Sequence, residues 1–436
     1  YRHGVLPLAP LTVLIGANAS GKSNIIEAIR LLSEIAKGVP LNLFGQSQAE
    51  SINPFRGDIR ELGYQGKNSF ELSCQLWIDS PEWHIDFAQS ICHWKNLEIS
   101  LYLDNGELRI DQEKIISNES KVPLYQISSE PQGAGHDVIV AYNNFARGGK
   151  KPTTVCSSNL AIFTQLLSEI RFRPENEESR SKIPRITSRY VELLRNIIFL
   201  EPEPSIMREY SHQSEQILEK DGKNLSGVLY SLCQEVEIKQ SILGFVKSLP
   251  EQDIQDVKFL EAANGEVLVQ LKEMFGDNVN PYNARTLSDG TLRVLSIAAA
   301  LLSAPEQGLV IIEEIDNGIH PSRVKDLLAK INAIAKKRQL RILTTSHNPA
   351  LLDSLPNDAV PNVVFCYRNP EDGSSKLVRL RDIPDYVELM VQGSVGYLMT
   401  HGILERFVKY HPGPEEKKRR ALEWLEKMRK EVENVG

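Results

Sequence analysis

The chain has 436 residues, which at about 150 residues per domain is enough for two to three lobes. Hydrophobic residues make up 41% and charged residues 25%, which indicates an ordinary soluble globular protein and excludes a disordered chain or a disulfide-stapled scaffold. The net charge of −7 excludes a polycation that binds nucleic acid over its whole surface, although a local basic groove stays open. No run of ~18 apolar residues occurs, so we expect no membrane span.

The cysteines are scattered and form no CxxC pair. This pattern favours reduced thiols in a cytoplasmic protein, and we interpret the side chains as small buried hydrophobic groups. They are Cys74, Cys92, Cys156, Cys233 and Cys366.

The chain opens with a predicted strand, a glycine-containing loop and a predicted helix. Leu11–Ile15 is a short apolar run that ends at Gly16, and residues 23–36 carry apolar side chains at helical spacing. Alternating apolar and polar residues then predict antiparallel strands over residues 68–145, with an Asp-Asn-Gly hairpin turn at residues 104–106.

The second half of the chain first becomes helical and then returns to strands. Helical periods indicate helices at residues 158–170, 189–198 and 224–249, and strands are expected at 257–262 and 266–273. The apolar runs at residues 309–312 and 341–345 are typical of parallel strands buried on both faces. Beyond residue 373 we expect a mostly helical tail.

Residues 16–23 read Gly-Ala-Asn-Ala-Ser-Gly-Lys-Ser and match the phosphate-loop pattern G-x-x-x-x-G-K-[ST] between a strand and a helix. Small residues let successive backbone N–H groups turn inward around a phosphate, and the helix N-terminus adds positive dipole character. Lys22 is expected to neutralise phosphate oxygens, and the Ser23 hydroxyl to join the octahedral shell of Mg²⁺. The expected nucleotide contacts of this loop are Gly16, Ala17, Asn18, Ala19, Ser20, Gly21, Lys22, Ser23 and Asn24.

Two carboxylates follow the apolar run at residues 309–312. Glu313 and Glu314 would lie at the carboxyl edge of a parallel sheet, where ligands bind in such folds. One of them can hold the hydration shell of Mg²⁺ and the other can position the attacking water. The alternative is a solvated acidic turn, which the nearby phosphate loop disfavours.

Two further polar segments have the same kind of placement. His347 ends the run at residues 341–345, where a neutral imidazole can hydrogen-bond a phosphate or the attacking water, although a structural histidine is the alternative. Ser288 and Gly290 stand at the start of a long apolar helix over residues 292–302. They indicate either a simple helix cap or a second phosphate-binding helix N-terminus.

Together these segments carry a family resemblance. The stretches GANASGKS, LSDGT, IIEEID and TTSH, in this order, resemble the ABC-type ATPase heads of the SMC, RecF and OLD-like group. The stretches FLEPEPSIMREY, EKDGKNLSGVLYSL and NGIHPSRV further resemble small bacterial RecF-like and OLD-like ATPases. The resemblance implies an α/β P-loop NTPase fold, an ABC/SMC-type head with an inserted β-rich and helical lobe and a helical C-terminal tail.

The resemblance also assigns roles. Residues 16–23 match the Walker A loop, Glu313 replaces the usual Walker B aspartate, and Glu314 matches the catalytic glutamate. His347 matches the switch histidine. Ser288 and Gly290 match the signature motif, within which Asp289 and Thr291 replace the usual residues. His320 stands where relatives place an aspartate, and the glutamine that senses Mg²⁺ is not assigned between Gln65 and Gln126.

In such heads the signature motif of one protomer closes on the ATP held by the other. The resemblance therefore implies ATP and Mg²⁺ as ligands and a head-to-tail homodimer or higher oligomer. The implied domains are the N-terminal half of the head (residues 1–157), a helical insertion (158–255), the C-terminal half of the head (256–372) and a helical tail (373–436).

The biological role stays open between three hypotheses. The first is an ATP-hydrolysing regulator of a separate effector, such as a nuclease, in anti-phage defence. The second is a RecF-like DNA-repair ATPase, and the third is a nucleotide-gated scaffold with little turnover. The resemblance implies a much shorter interval in transporter subunits than the 266 positions from Lys22 to Ser288, which disfavours a transporter. The insertion is also too short and too interrupted for a long coiled coil.

DNA is a further candidate partner because basic residues cluster in the insertion and the tail. Acidic residues stand among them, so a solvated mixed-charge face is the simpler interpretation. The basic residues are Arg171, Arg173, Arg180, Lys182, Arg185, Arg189, Arg195, Lys417, Lys418, Arg419 and Arg420.

Overall fold

The computed structural model describes residues 1–45, 54–76, 94–128, 137–146, 148–247, 253–319, 321–410, 419 and 422. Cys92, His320 and nearly all of the basic cluster of the tail lie outside these ranges. The chain divides into two compact units. Unit 1 consists of residues 1–22 and 198–436, and unit 2 of residues 23–197.

The strands of the described residues are numbered in chain order. They are β1 (Leu11–Ile15), β2 (Ser69–Gln75), β3 (Asn96–Asp104), β4 (Glu107–Ile116), β5 (Tyr125–Ile127), β6 (Asp137–Tyr142), β7 (Thr153–Ser157), β8 (Ile198–Leu200), β9 (Ser211–His212), β10 (Ile254–Glu261), β11 (Glu266–Phe275), β12 (Asn278–Asn283), β13 (Leu309–Ile312), β14 (Arg341–Thr345), β15 (Val364–Arg368) and β16 (Ser375–Arg379).

The α-helices follow the same order. They are α1 (Lys22–Ala36), α2 (Ile162–Gln165), α3 (Glu177–Arg195), α4 (Leu225–Leu232), α5 (Val236–Val246), α6 (Asp289–Ser303), α7 (Pro321–Lys337), α8 (Pro349–Asp353), α9 (Tyr386–Val391), α10 (Val395–Thr400) and α11 (Ile403–Tyr410). Within the described residues, no helix is both long enough and apolar enough to cross a membrane.

Unit 1 is built on a sheet with the strand order β16-β15-β1-β14-β13-β8. All neighbouring pairs in it are parallel except β15 and β16. The strands β1 and β14 are buried over almost their whole length, as expected for a sheet covered on both faces. The predicted strands at residues 11–15, 309–312 and 341–345, and the predicted α/β class, are confirmed.

A second, antiparallel sheet of unit 1 contains β10, β11 and β12, with β9 paired to β11. The predicted strands at residues 257–262 and 266–273 lie in β10 and β11. Helices α4 and α5 pack against this sheet and against the apolar helix α6. The C-terminal end of α6 is capped by Arg338, whose guanidinium donates to the carbonyl oxygens of Leu301, Leu302 and Ala304.

Unit 2 contains an antiparallel sheet in which β2 to β7 follow one another in sequence order. The predicted antiparallel region over residues 68–145 is therefore confirmed for the part of this range that the structure describes. Asn105 and Gly106 have φ values of 51° and 83°, as a two-residue hairpin turn between right-twisted strands requires. A fully buried carboxylate, Glu113 of β4, accepts hydrogen bonds from the Tyr125 hydroxyl and from the backbone N–H groups of Ile162 and Phe163 in α2.

Two expectations differ from the structure. The helix expected at residues 189–198 instead spans Glu177–Arg195 and runs through Pro184, and Ile198–Leu200 is a strand because it pairs with Val310–Ile312 of β13. The tail contains the strand β16, which closes a hairpin with β15. The domain bounds stay a prediction; of the elements within residues 158–255, β8, α4 and α5 belong to unit 1.

Candidate nucleotide site

The phosphate-loop motif forms the turn between β1 and α1. Gly16 and Gly21 have φ values of 148° and 112°, and Ala19 has a φ of 60°, so the loop follows a path open mainly to glycine and small residues. Lys22 is 8% exposed, and its ammonium donates to the carbonyl oxygens of Gly16 at 2.8 Å and Ala17 at 2.9 Å. Burial lowers the pKa of Lys22.

The loop contains a buried hydroxyl that none of the described residues satisfies. The Ser20 side chain is 2% exposed, and its Oγ has no hydrogen-bond partner there. Ser23 and Asn24 are the second and third residues of α1; Ser23 is half-buried and Asn24 is exposed. An anion at this helix N-terminus can use the free backbone N–H groups and the Ser20 hydroxyl, so the residues present fit a phosphate group.

The acidic pair lies directly after β13, two strands from β1 in the sheet. The two glutamates differ in exposure. Glu313 is half-buried and its N–H donates to the Leu200 carbonyl, whereas Glu314 is exposed. Glu314 has a φ of 49°, and its N–H donates to the Thr345 hydroxyl of β14 at 3.0 Å. This bond joins the ends of the neighbouring strands β13 and β14. The sequence analysis did not identify Thr345 as part of the site.

His347 follows β14, the strand between β1 and β13. Partial burial is the largest cause that lowers its pKa, followed by the positive charge of Lys22, whereas Glu314 and Asp316 oppose the change. His347 therefore lies within electrostatic reach of both Lys22 and Glu314. A lowered pKa keeps the imidazole neutral at pH 7, as the sequence analysis expected.

Ser288 caps the N-terminus of α6. Its Oγ accepts a hydrogen bond from the Thr291 N–H at 3.1 Å and lies 2.8 Å from the Thr291 hydroxyl. Gly290 is required by a close approach of backbone, because a Cβ there would lie 2.7 Å from the carbonyl oxygen of Gly318. The helix-cap interpretation of Ser288 is therefore observed, and its contact with a nucleotide stays a prediction.

A residue outside the predicted set holds the segment before Ser288. The Arg208 guanidinium donates to the carbonyl oxygens of Ala284 at 3.1 Å and Leu287 at 2.6 Å. It also pairs with the carboxylate of Asp289 at 2.5 Å. Arg208 lies in the FLEPEPSIMREY stretch that carried part of the resemblance, but nothing in that stretch indicates which residue it contacts.

The remaining candidates are less informative. Gln65 and Gln126 are exposed residues of unit 2, and neither is assigned as the Mg²⁺-sensing glutamine. Several basic residues of helix α3 have carboxylate partners: Arg180 pairs with Glu169, Lys182 with Glu178 and Arg189 with Glu192. These pairs favour a solvated mixed-charge face over a surface that binds DNA.

Comparisons with known proteins identify the family of the chain. The family model described as "AAA domain, putative AbiEii toxin, Type IV TA system" matches residues 11–76 and 163–353, more than half of the chain. The comparison with curated proteins returns no significant match.

Among solved structures, the chain is similar to an SMC head bound to the C-terminal winged-helix domain of ScpA, with 14% identity, a TM-score of 0.42 and coverage of 86% of this chain and 92% of that one. It is similar to the SMC head domain from Thermotoga maritima, with 12% identity, a TM-score of 0.33 and coverage of 86% and 92%. A third similar structure is the SMC head from Pyrococcus furiosus with an extended coiled coil, with 14% identity, a TM-score of 0.39 and coverage of 93% and 95%.

The family match confirms the predicted resemblance to ABC-type ATPase heads. The chain belongs to the AAA-domain family that is described as "putative AbiEii toxin, Type IV TA system".

Proposed function

We propose that the chain binds ATP with Mg²⁺ and hydrolyses it at the carboxyl edge of the unit 1 sheet. One observation supports this most strongly. The parallel strands β1, β14 and β13 end side by side, and the residues that follow them are the phosphate loop, His347 and Glu314. The edge thus combines a phosphate cradle, a neutral imidazole and an exposed carboxylate.

Each residue has a distinct task in this proposal. The loop N–H groups and Lys22 bind the phosphates, and Ser23 and Glu313 hold the metal. When bound, Mg²⁺ neutralises charge on the β- and γ-phosphate oxygens. Glu314 orients the attacking water, and His347 donates a hydrogen bond from its neutral ring. Catalysis is then mainly positioning and charge stabilisation.

A second part of the proposal concerns assembly. We infer that Ser288 and the N-terminus of α6 contact the ATP held by a second copy, in a head-to-tail dimer or a higher oligomer. The 15-residue helix α6 presents N–H groups and a positive dipole end at Ser288, which suits a phosphate. A complete site would then need residues from two chains.

The biological role that we favour is a nucleotide-dependent regulator of a separate effector protein in anti-phage defence. The family description, which names a toxin of a toxin–antitoxin system, supports this choice. A RecF-like role in DNA repair is the second candidate. Duplex DNA that accelerates ATP turnover with a steep salt dependence would favour repair, whereas a DNA-indifferent ATPase that co-purifies with the product of a neighbouring gene would favour defence.

Phosphate release from ATP tests the enzymatic proposal. We expect steady turnover by the wild-type chain, and a loss of about 100-fold or more in Glu314→Gln because a positioned base contributes about that factor. ATP affinity should stay unchanged in this variant. Glu306→Gln is the matched control, since Glu306 is an exposed glutamate that precedes β13. Turnover that survives Glu314→Gln would overturn the assignment of Glu314, and a wild-type chain that binds ATP without hydrolysing it would favour the scaffold hypothesis.

A further inference from the structure

The β15–β16 hairpin (residues 364–379), which the sequence analysis divided between a head and a tail, lies against the phosphate loop. Strand β15 pairs with β1 in parallel, with Ile15 opposite Phe365, so that Cys366 comes next to the first residue of the loop. We call residues 364–379 the edge hairpin, because β16 is the last strand on that side of the sheet.

Gly16 and Gly21 of the phosphate loop must lack a side chain because the edge hairpin lies so close to the loop backbone. A Cβ at Gly16 would lie 2.1 Å from the carbonyl oxygen of Cys366. A Cβ at Gly21 would lie 2.5 Å from the hydroxyl of Ser375 and 2.9 Å from that of Tyr1. Any side chain at either end of the loop would therefore push the loop off the hairpin.

Three consecutive carbonyl groups of the loop accept hydrogen bonds on this side. The Arg368 guanidinium donates to Ala19 at 3.0 Å, and the Cys366 thiol donates to Ser20 at 3.2 Å. The Tyr1 hydroxyl donates to Gly21 at 3.0 Å and also contacts the Cys366 sulfur at 3.0 Å. Arg368 is anchored in turn, because it donates to the Gly373 carbonyl in the turn of the hairpin.

These bonds determine where the loop N–H groups point. In a planar trans peptide the C=O of one residue and the N–H of the next lie on opposite sides. Fixing the carbonyls of Ser20 and Gly21 against the hairpin thus turns the N–H groups of Gly21 and Lys22 to the other side. That is the arrangement of inward-facing N–H groups that binds a phosphate.

We propose that Arg368, Cys366 and Tyr1 are positioning residues that hold the phosphate loop in its binding conformation before a nucleotide arrives. This inference rests on the proposed function of the loop. A loop that is already ordered loses less conformational entropy on binding, so its affinity for phosphates is higher. Cys366 is fully buried and cannot touch a nucleotide, so it can influence binding only through the loop.

Calorimetric titration of the full chain with ATP·Mg²⁺ and with inorganic tripolyphosphate tests the proposal. The variants are Cys366→Ala, Arg368→Gln and Tyr1→Phe, each of which removes the group that donates to one carbonyl of the loop. We expect both affinities to fall by the same factor, about 3- to 10-fold per lost donor. Cys366→Ser retains a donor and should recover most of the affinity that Cys366→Ala loses.

Arg379→Gln is the matched control. Arg379 belongs to the same hairpin, but its guanidinium pairs with Asp382, and this variant should bind both probes as the wild type does. Melting temperatures identify any variant that fails to fold. If Cys366→Ala does not fold, Tyr1→Phe and Arg368→Gln decide the question.

The outcomes separate the two proposals. Folded variants that bind both probes with unchanged affinity would overturn the positioning role and leave the proposed function intact. Weaker binding in Arg368→Gln, with no change in Cys366→Ala and Tyr1→Phe, would also overturn it, because Arg368 would then act by direct contact. A wild-type chain that binds neither probe would overturn the proposed function and the positioning role together.

Discussion

Single residues at the carboxyl edge of the sheet are held in conformations that cost free energy. Glu314 has a φ of 49°, and a left-handed conformation costs a residue other than glycine about 1 kcal/mol or more. The hydrogen bond from its N–H to the Thr345 hydroxyl supports this conformation. Strain of this kind is concentrated at functional sites, which agrees with the role proposed for Glu314.

At the same scale, the lowered pKa of His347 is a measurable property. We expect a two-dimensional NMR titration of the imidazole to give a pKa below the ordinary value of about 6.5. Burial and the Lys22 charge lower the pKa of His347, while Asp316 raises it. The Asp316→Asn variant should therefore lower the pKa further, and Lys22→Gln should raise it towards the ordinary value. A pKa at or above the ordinary value in the wild type would contradict the neutral imidazole.

The pH dependence of turnover has a defined sign. If neutral His347 is required, the rate falls when the pH drops through the lowered pKa, and the acid limb lies below about pH 6.5. Asp316→Asn should move this limb to still lower pH.

Among the elements, helix α6 depends on a distant arginine for the position of its N-terminus. Arg208 holds the Ala284 and Leu287 carbonyls and the Asp289 carboxylate, which flank the Ser288 cap. We expect Arg208→Gln to weaken ATP-dependent dimerisation about 10-fold, while a single chain retains its ATP affinity. Sedimentation at several protein concentrations, in the Glu314→Gln background, measures this.

Arg285→Gln serves as its control, since Arg285 is on the same segment but its guanidinium lies near Glu209 and over the Tyr210 ring. An equal dimerisation constant in Arg208→Gln and in the control would show that the position of Ser288 does not matter for assembly.

In unit 2, the buried Glu113 connects β4 to the start of α2. Burial raises the pKa of Glu113 to about 7, and the hydrogen bonds from Tyr125, Ile162 and Phe163 oppose that change. An unfolded glutamate titrates near pH 4.3, so between these values the folded chain binds a proton that the unfolded chain does not. The free energy of unfolding should therefore decrease as the pH rises through this window.

Urea unfolding at pH 5 and pH 8 tests this expectation. From pH 5 to pH 8 the free energy of unfolding of the wild type, measured relative to Glu113→Gln, should decrease by up to about 3 kcal/mol. The variant has no carboxylate at this position to ionise. Glu107→Gln, on the same strand beside Arg109, should show no such change relative to the wild type. A relative stability of Glu113→Gln that does not depend on pH would contradict the raised pKa.

For the whole molecule, the sequence predicted the long periodic elements and the motif positions, because hydrophobic periodicity and turn residues are local signals. It did not predict the short strands β8 and β16, whose partners, β13 and β15, stabilise them from elsewhere in the sheet. The contacts from Arg208 to Asp289 and from Arg368 to Ala19 join residues 81 and 349 positions apart, and no local pattern encodes them. The sequence therefore predicted which residues belong to the candidate site, but not the long-range contacts that hold them in place.

The account as a whole depends on the claim that bound ATP closes two copies of the chain on each other. The most direct measurement is the size-resolved mass of Glu314→Gln with ATP·Mg²⁺ and without nucleotide. We predict a shift from a smaller species to a dimer or a higher oligomer when ATP is bound but not hydrolysed. A mass that ATP leaves unchanged at saturating occupancy, whether it is that of one chain or of a fixed oligomer, would contradict the claim.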